Sequence, residues 1–442
     1  MEHKDALPKL TLFPHTAGVN GQGHLTVGGC DTIELAATYG TPLYIFDETT
    51  IRAKCSEYRR EFGQRYSDTL AIYACKAFTS QALIRLLHEE GFGLDVVSGG
   101  ELHVARSAGF PLDRVYFHGN NKGERDLKQA LEWGVGRIVV DNFHELALLG
   151  RLATGLRKTQ DILLRLSPGV DPHTHSHVAT GVLDSKFGFP LTTGQAEEAL
   201  TKAMSTPGLK LTGLHFHLGS SLFEVEPYLQ AIDLVLQFAA QMKQRHRFDL
   251  RELNVGGGFA VQYLLDSPAP SVSRYADAIV SALVKQTGEL KLEQPRLVIE
   301  PGRSVVARAG TALYTIGASK DIPGLRRYVF VDGGMGDNIR PALYDSKYEA
   351  VVANKMGQPE TDVVTIAGKF CESGDILVKD VRLPKPEAGD VLAMPTSGAY
   401  SIPMSSNYNA SLRPAIAMVK EGKARLIRRR ETYDDLTSHD SV

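Results

Sequence analysis

Short apolar runs alternate with helical patterns through the middle of the chain and are bounded by turn residues. Most are rich in Val, Ile and Leu with little polar alternation, as in parallel strands buried on both faces. Helical patterns lie between them, for example at Ser80–Glu90 and Glu101–Ala108, and Gly91 and Gly109 end these two. The pattern predicts eight strands, at Thr69–Ala74, Leu94–Val97, Arg114–Phe117, Arg137–Val140, Asp161–Leu166, Leu211–Phe216, Glu252–Val255 and Arg296–Ile299.

Eight strand–helix units over about 230 residues predict an α/β fold, a (β/α)8 TIM-like barrel, in residues 37–300. After Glu300 strand-like runs follow one another with Gly/Pro turns, which predicts an antiparallel β domain in residues 301–430. The turn-rich segment 1–36 is expected to join this β domain, and the polar tail 431–442 to be disordered. The runs of the β domain are Tyr328–Val331, Val363–Ile366, Asp375–Val378 and Asp390–Met394.

Composition narrows the class of protein. A length of 442 residues suits two or three domains, and a formal net charge of −2 gives no strong field that would favour nucleic acid or a membrane surface. No apolar run approaches the roughly 20 residues of a spanning helix, and the N-terminus lacks a signal-peptide pattern. The four cysteines are scattered without a C-x-x-C motif, so neither disulfides nor a zinc site is predicted. We expect a cytoplasmic enzyme.

Polar or glycine-rich groups follow the predicted strands. In a barrel of this kind the active residues lie at the C-terminal ends of the strands, so these groups are expected to converge. In chain order they are Lys76, Ser98–Glu101, His118–Asn121, Asp141, Arg165, His215–Ser220, Gly256–Gly258 and Glu300–Arg303.

Three of these groups suggest chemistry, each with a simpler alternative. Partial desolvation of Lys76 favours the neutral amine that a Schiff base needs, although a strand-end lysine can also simply reach into solvent. Gly256–Gly258 would let backbone N–H groups approach a phosphate, or would only make a tight turn. Glu300 could keep a cofactor's pyridine nitrogen protonated, or could bridge to Arg303.

Histidines raise the question of a metal. His215 and His217 alternate on one strand, so only one is expected to point into the barrel mouth. With His173, His175 and His177 they look superficially metal-like. No carboxylate set with clear spacing accompanies them, so no metal is predicted, and a metal-dependent barrel hydrolase remains a remote alternative.

Two residues of the β domain also suggest chemistry. Cys371 lies beside Glu372 in C-E-S-G-D and suits a proton donor, or is a small buried hydrophobe. Tyr400, in G-A-Y, suits a phosphate anchor or aromatic packing.

As an ordered set, these motifs resemble the fold-type III, alanine-racemase-like pyridoxal-phosphate decarboxylases, and most closely the diaminopimelate decarboxylases. The resemblance covers about residues 40 to 415, and each motif is weak alone whereas the ordered set is specific. Departures at Gly123, Ser221 and Ser401–Pro403 remove no catalytic group. The motifs are Y-A-C-K, D-V-V-S-G-G-E-L, H-G-N-N-K, H-F-H-L-G-S, N-V-G-G-G-F, E-P-G-R, R-P-A-L-Y, C-E-S-G-D and G-A-Y with M-S-S-N-Y-N.

The resemblance implies roles for individual residues. Pyridoxal 5'-phosphate would be bound covalently by Lys76 and stacked by His217, and Cys371 would be the proton donor. The active site would be shared across a homodimer, with Cys371 and Glu372 supplied by the partner chain. The implied cofactor contacts are Ser220, Gly256, Gly257, Gly258, Glu300, Pro301, Gly302, Arg303 and Tyr400, and the implied substrate contacts are Arg303, Arg340, Tyr344, Glu372 and Tyr400.

The substrate follows from charge. Meso-2,6-diaminopimelate carries a second amino-acid head, whose carboxylate suits Arg303 and Arg340 and whose ammonium suits Glu372. Ornithine or lysine would leave buried arginines unpaired. We therefore expect decarboxylation of meso-2,6-diaminopimelate to L-lysine and CO2, the last step of lysine biosynthesis. The alternative is a related decarboxylase of D-ornithine, D-lysine or carboxynorspermidine, and Glu300 disfavours a racemase.

Overall fold

Eight parallel strands pair in chain order and close into a barrel, because the last strand pairs with the first, with Leu297 opposite Thr69. The computed structural model describes residues 7–171 and 185–441. The barrel confirms the predicted fold class, and each strand lies within two residues of its predicted position. The strands are Thr69–Ala74, Gly93–Val96, Val115–Phe117, Arg137–Val140, Gln160–Ser167, Leu209–His215, Glu252–Asn254 and Arg296–Ile299.

The barrel unit comprises Cys55–Ala260 and Pro270–Gly302. Its interior holds a layer of apolar side chains from alternate positions of different strands, Ile72, Tyr116, Val139, Leu163 and Val298. Helices alternate with the strands along the chain, and a short strand, Phe189–Pro190, pairs with the fifth barrel strand. The helices are Glu48–Gly63, which begins in the other unit, Gln81–Glu89, Gly99–Ser107, Glu124–Trp133, Phe143–Gly155, Gln195–Ser205, Glu226–His246 and Val272–Glu289.

Local signals explain where the helices after the first two barrel strands start and stop. Ser80 and Ser98 accept hydrogen bonds from backbone N–H groups of the first turn. Gly91 and Gly109 follow the helix ends with φ of 75° and 78°, a conformation that other residues rarely adopt. Each helix therefore begins directly after a strand, and the strand-end groups stay at one end of the barrel.

The β unit comprises the described residues of Met1–Lys54, Val261–Ala269 and Arg303–Val442. Its central strand, Leu43–Asp47, pairs antiparallel with Gly310–Ile322 and parallel with Ala415–Lys420. This strand lies beyond the boundary predicted at residue 37. The N-terminal segment joins the same core as predicted, for example through Leu10, Phe13, Leu25 and Val27.

The prediction of a purely antiparallel β domain is wrong. Arg326–Val331 pairs parallel with Asp362–Ala367. The connection between them is long and carries the helix Arg340–Tyr344, and a long crossover is what parallel pairing requires. The remaining elements of the unit are Pro8–Leu12, Gly18–Val19, Leu25–Val27, Cys30–Asp31, Thr32–Tyr39, Arg303–Val306, Val351–Val352, Ile376–Leu383, Val391–Met394, Ile402–Met404, Tyr408–Ala410, Lys423–Arg428 and Tyr433–Thr437.

The tail is not disordered where it is described. Tyr433–Thr437 forms a helix, and Thr432 and Asp435 cap it reciprocally through side chain and backbone. Arg429 adds an ion pair to Asp435, with 2.6 Å between Nη1 and Oδ2. Local capping therefore orders a segment whose polarity had predicted disorder.

Across residues 7–171 and 185–441, no helix is both long and apolar enough to cross a membrane.

Candidate active site

Lys76 lies in the turn that follows the first barrel strand. Its Nζ is 3.5 Å from Oδ2 of Asp95, and its side chain is 38% exposed whereas that of Asp95 is 1% exposed. Strand register explains the contact, because Ala74 pairs with Asp95 on the second strand. The lysine is thus accessible at the barrel mouth and is paired with a buried carboxylate.

Glu300 follows the eighth strand and is buried. Three side chains contact one of its oxygens, Oε1. Asn254 Nδ2 donates to it at 2.7 Å, His118 Nε2 lies 2.9 Å away and His215 Nε2 3.6 Å away. Burial alone would raise the pKa of Glu300, but His118 and His215 together hold that pKa well below its ordinary value. Glu300 is therefore an ionised carboxylate inside the barrel.

His217 was expected to point away from His215, and this expectation is wrong. Residues two apart in a strand point to the same face, so the premise of opposite directions does not hold, and the sixth strand itself ends at His215. The Gly257 N–H donates to His217 Nδ1 at 3.2 Å. Burial, followed by the charge of Lys76, lowers the pKa of His217 well below its ordinary value. Both histidines thus belong to the site, and His217 is a neutral ring.

The three glycines after the seventh strand form a loop that no side chain could occupy. Gly256 and Gly258 have φ of 71° and 106°, and a Cβ on Gly257 would lie 2.3 Å from the Glu300 carbonyl oxygen. The Gly256 N–H bonds to Asn254 and the Gly257 N–H to His217. Because these two N–H groups are already bonded, the Gly258 N–H is the backbone donor of the loop that is left for an anionic phosphate, and the bare backbone lets the anion approach closely.

Three further predicted residues belong to the barrel unit. Pro301 and Gly302 are buried and pack on the first strand, with the Ala74 N–H donating to the Pro301 carbonyl oxygen. They join the end of strand eight to the strand that carries Lys76. Ser220 is exposed on the loop after strand six.

In the β unit, two arginines converge on one phenol. Nη1 of Arg303 and of Arg340 lie 2.9 and 3.2 Å from the Tyr263 hydroxyl oxygen, and each donates to it. Arg340 also donates to Tyr348, and the Arg303 guanidinium lies 4.6 Å from the centre of the Tyr400 ring. Arg340 is only 6% exposed, and no carboxylate of the described chain lies within ion-pair distance of it. The arrangement is a cationic site held by neutral aromatic groups.

The other predicted residues of the β unit are exposed. Tyr344 is 61% exposed, and Cys371 and Glu372 are exposed as well. The alternative of Cys371 as a buried structural hydrophobe is therefore wrong. The Cys371 N–H donates to Asn409 Oδ1 at 3.0 Å, which fixes the backbone of this segment.

A metal was not predicted, yet the described residues include one group of suitable residue types. Ligand atoms of His118, His215 and Glu300 lie within 4.8 Å of one another. Their Glu300 oxygen already accepts the Asn254 amide. His173, His175 and His177 lie outside the described residues.

Sequence reasoning assigned no role to Asp95, Asn254, Tyr263 or Tyr348. The sequence contained a clue to the role of Asn254, since it is a polar residue that ends an apolar strand directly before the glycine loop. The sequence contained no such clue for Tyr263, because this residue lies in an irregular segment and its partners are distant in sequence.

Comparison with known proteins gives the family. Residues 48–307 match the pyridoxal binding domain of the pyridoxal-dependent decarboxylases. Diaminopimelate decarboxylase of Bacillus subtilis (strain 168) is 45% identical over 430 residues, 97% of this chain and 98% of the relative. That of Bacillus methanolicus is 46% identical over 95% of this chain and 97% of the relative.

Comparison with solved structures gives the same family. The crystal structure of the M. jannaschii diaminopimelate decarboxylase in complex with L-lysine has a TM-score of 0.92 at 36% identity and covers 97% of this chain and 98% of its own. The chain belongs to the pyridoxal-dependent decarboxylase family and, within it, to the diaminopimelate decarboxylases.

Proposed function

We propose that this protein decarboxylates meso-2,6-diaminopimelate to L-lysine and CO2 with pyridoxal phosphate, as the last step of lysine biosynthesis. One observation supports this substrate above other amino acids. The buried Arg340 is bonded to the phenols of Tyr263 and Tyr348 and has no carboxylate partner in the described chain. A buried guanidinium of this kind favours a ligand that brings its own carboxylate. The distal carboxylate of diaminopimelate meets that need.

The barrel residues fit the cofactor. Lys76 offers an accessible amine, Glu300 an ionised carboxylate, His217 a neutral ring and Gly258 a backbone N–H for a phosphate. When bound, pyridoxal phosphate supplies an electron sink for the pair released as the carboxylate departs. Lys76 would hold the cofactor through its aldehyde carbon, and Glu300 would keep the proton on the pyridine nitrogen.

The β-unit residues serve the substrate. Arg303 and Arg340 bind the distal carboxylate, Glu372 the distal ammonium, and Tyr344 and Tyr400 line the same region. The bond from Cα to the carboxylate breaks, CO2 leaves, and Cys371 gives a proton to Cα, which completes L-lysine. The balance is one proton taken up for each CO2 released.

The proposal includes a homodimer with shared sites. Cys371 and Glu372 are exposed in the single chain, although proton transfer and ion pairing are strengthened where water is excluded. A second copy of the chain would provide that cover. A cytoplasmic location accords with the free thiols of Cys30, Cys75 and Cys371.

Substrate comparison tests the function. The purified protein with pyridoxal phosphate is given meso-diaminopimelate, L-lysine, L-ornithine, D-ornithine, D-lysine and carboxynorspermidine separately, and CO2 release is measured. We expect release from meso-diaminopimelate alone. Comparable release from ornithine, or none from diaminopimelate, would overturn the substrate.

Mixing variants tests the shared site. Lys76→Ala and Cys371→Ala are each expected to be inactive, whereas a mixture that exchanges subunits regains activity because hybrid dimers contain one intact site. A mixture that stays inactive after proven subunit exchange contradicts the sharing and leaves the reaction untouched.

A further inference from the structure

Two buried histidines inside the barrel have no assigned role. His118 follows the third strand and His215 ends the sixth, and they are 4% and 1% exposed. Their rings meet edge to face, with centroids 4.8 Å apart and an interplanar angle of 69°. Burying two imidazoles against each other is unfavourable unless polar partners compensate. Their shared neighbour is the carboxylate of Glu300.

The three contacts on Glu300 all involve the same carboxylate oxygen. Asn254, His118 and His215 approach Oε1, at 2.7, 2.9 and 3.6 Å. Oε2 takes part in none of these three contacts. The carboxylate is thus fixed in rotation through one oxygen, and the other oxygen remains available.

The type of side chain beside Glu300 matters as well as its position. A lysine or arginine beside Glu300 would neutralise it and compete with a positively charged ligand. A neutral imidazole stabilises the carboxylate through its ring dipole and leaves the negative charge in place. Burial makes His215 such a neutral group, because it lowers the pKa of His215 to about 3.

His118 also lies near a second acid. Its Nε2 is 3.8 Å from Oδ1 of Asp95, the carboxylate that pairs with Lys76 through its other oxygen. The ring therefore stands between the two acids that serve opposite ends of the proposed cofactor site.

We propose that His118 and His215 are positioning residues, which orient Glu300 through Oε1 so that Oε2 meets the pyridine nitrogen of bound pyridoxal phosphate. His118 is the main support because it is the closer of the two. The inference rests on the proposed function, since it requires Glu300 to serve the cofactor. It adds two residues that act through Glu300 without touching the reacting atoms.

The test compares two cofactors. Holoenzymes are formed with pyridoxal phosphate or with its 1-deaza analogue, which has carbon in place of the pyridine nitrogen, and cofactor dissociation constants are measured by dilution. His118→Leu is expected to weaken pyridoxal phosphate binding roughly 10-fold, because Glu300 loses its closest ring neighbour, and to leave binding of the analogue unchanged. His215→Leu should act in the same direction but less strongly.

Two further variants separate positioning from structure. His118→Gln keeps an N–H donor at a similar reach and should restore most of the affinity. In a Glu300→Gln background, His118→Leu should cause no further loss. His144→Leu, the same change on an exposed helix position, is the matched control and should bind both cofactors like wild type.

The outcomes are distinguishable. Equal weakening of both cofactors by His118→Leu means a general structural role and overturns the inference, as does stoichiometric zinc bound by the wild-type protein at His118, His215 and Glu300. Failure of wild type to bind pyridoxal phosphate or to release CO2 would instead overturn the proposed function. Unchanged binding in both His→Leu variants, with wild type active, overturns the inference alone.

Discussion

Lys76 Nζ lies 3.5 Å from the buried Oδ2 of Asp95, at the ends of two neighbouring barrel strands. Replacing Lys76 with Ala is expected to abolish covalent retention of pyridoxal phosphate, because Lys76 is the amine that we assign to the cofactor aldehyde. The measurement is intact-protein mass after borohydride reduction. A control, Lys128→Ala, makes the same change on an exposed helix and should retain one cofactor per chain. Cofactor retained by Lys76→Ala would contradict the assignment.

Tyr263 joins the two arginines that we assign to the distal carboxylate. In Tyr263→Phe both lose an acceptor, so we expect KM for meso-diaminopimelate to rise roughly 10-fold with kcat little changed, since the lost interactions serve binding rather than the reacting centre. Steady-state CO2 release measures both constants. Tyr433→Phe, at a side chain that is 75% exposed, is the control. A loss confined to kcat would refute this role.

Lys122 and Glu145 form an ion pair inside the barrel unit, with 2.8 Å between Nζ and Oε1 and side chains only 1% and 2% exposed. Glu145→Leu leaves a buried charge and is expected to lower the free energy of unfolding by about 3–5 kcal/mol. Lys122→Met combined with Glu145→Leu should be less destabilised than Glu145→Leu alone. Urea unfolding of the variants measures their order of stability. A double variant that is less stable than Glu145→Leu would show the predicted order to be wrong.

Asp337 predicts a pH dependence of stability. Burial raises its pKa from 3.8 to about 6, despite hydrogen bonds from Tyr314, Gly334 and Tyr44 at 2.5, 2.9 and 3.0 Å. The folded state therefore binds the proton more tightly than the unfolded state. The contribution of Asp337 to stability is complete below pH 3.8 and falls as pH rises to about 6.

The corresponding experiment compares Asp337→Asn with wild type by urea unfolding between pH 4 and 7. The variant loses hydrogen bonds and is less stable at the acid end, but the difference should shrink by up to about 3 kcal/mol as pH rises. Asp434→Asn, at an exposed position, should show no such trend. A difference that is constant with pH would rule out the raised pKa.

The barrel part of the site was largely predictable, for a physical reason. Parallel strands in a closed barrel bring their carboxyl ends together, so a lysine, a glycine loop and a glutamate after different strands must converge. Lys76 and Glu300 follow directly from that rule. The direction of His217 was predicted wrongly, because residues two apart in a strand share a face rather than point in opposite directions.

The β unit was less predictable. Parallel pairing of Arg326–Val331 with Asp362–Ala367 depends on a long connection that apolar periodicity does not describe. The Tyr263 contacts likewise join residues far apart in sequence, and no local pattern marks them. The helix Tyr433–Thr437 was missed because polarity outweighed its capping residues, although the T-x-x-D pattern was present.

The central strand of the β unit, Leu43–Asp47, lies between partners that begin at Gly310 and Ala415. During synthesis on the ribosome this strand emerges before both of its neighbours. The barrel strands between Thr69 and Ile299 are all synthesised before those neighbours emerge. The barrel can therefore close before the β unit does. The arginines that we assign to the substrate are consequently placed last, after the lysine that we assign to the cofactor.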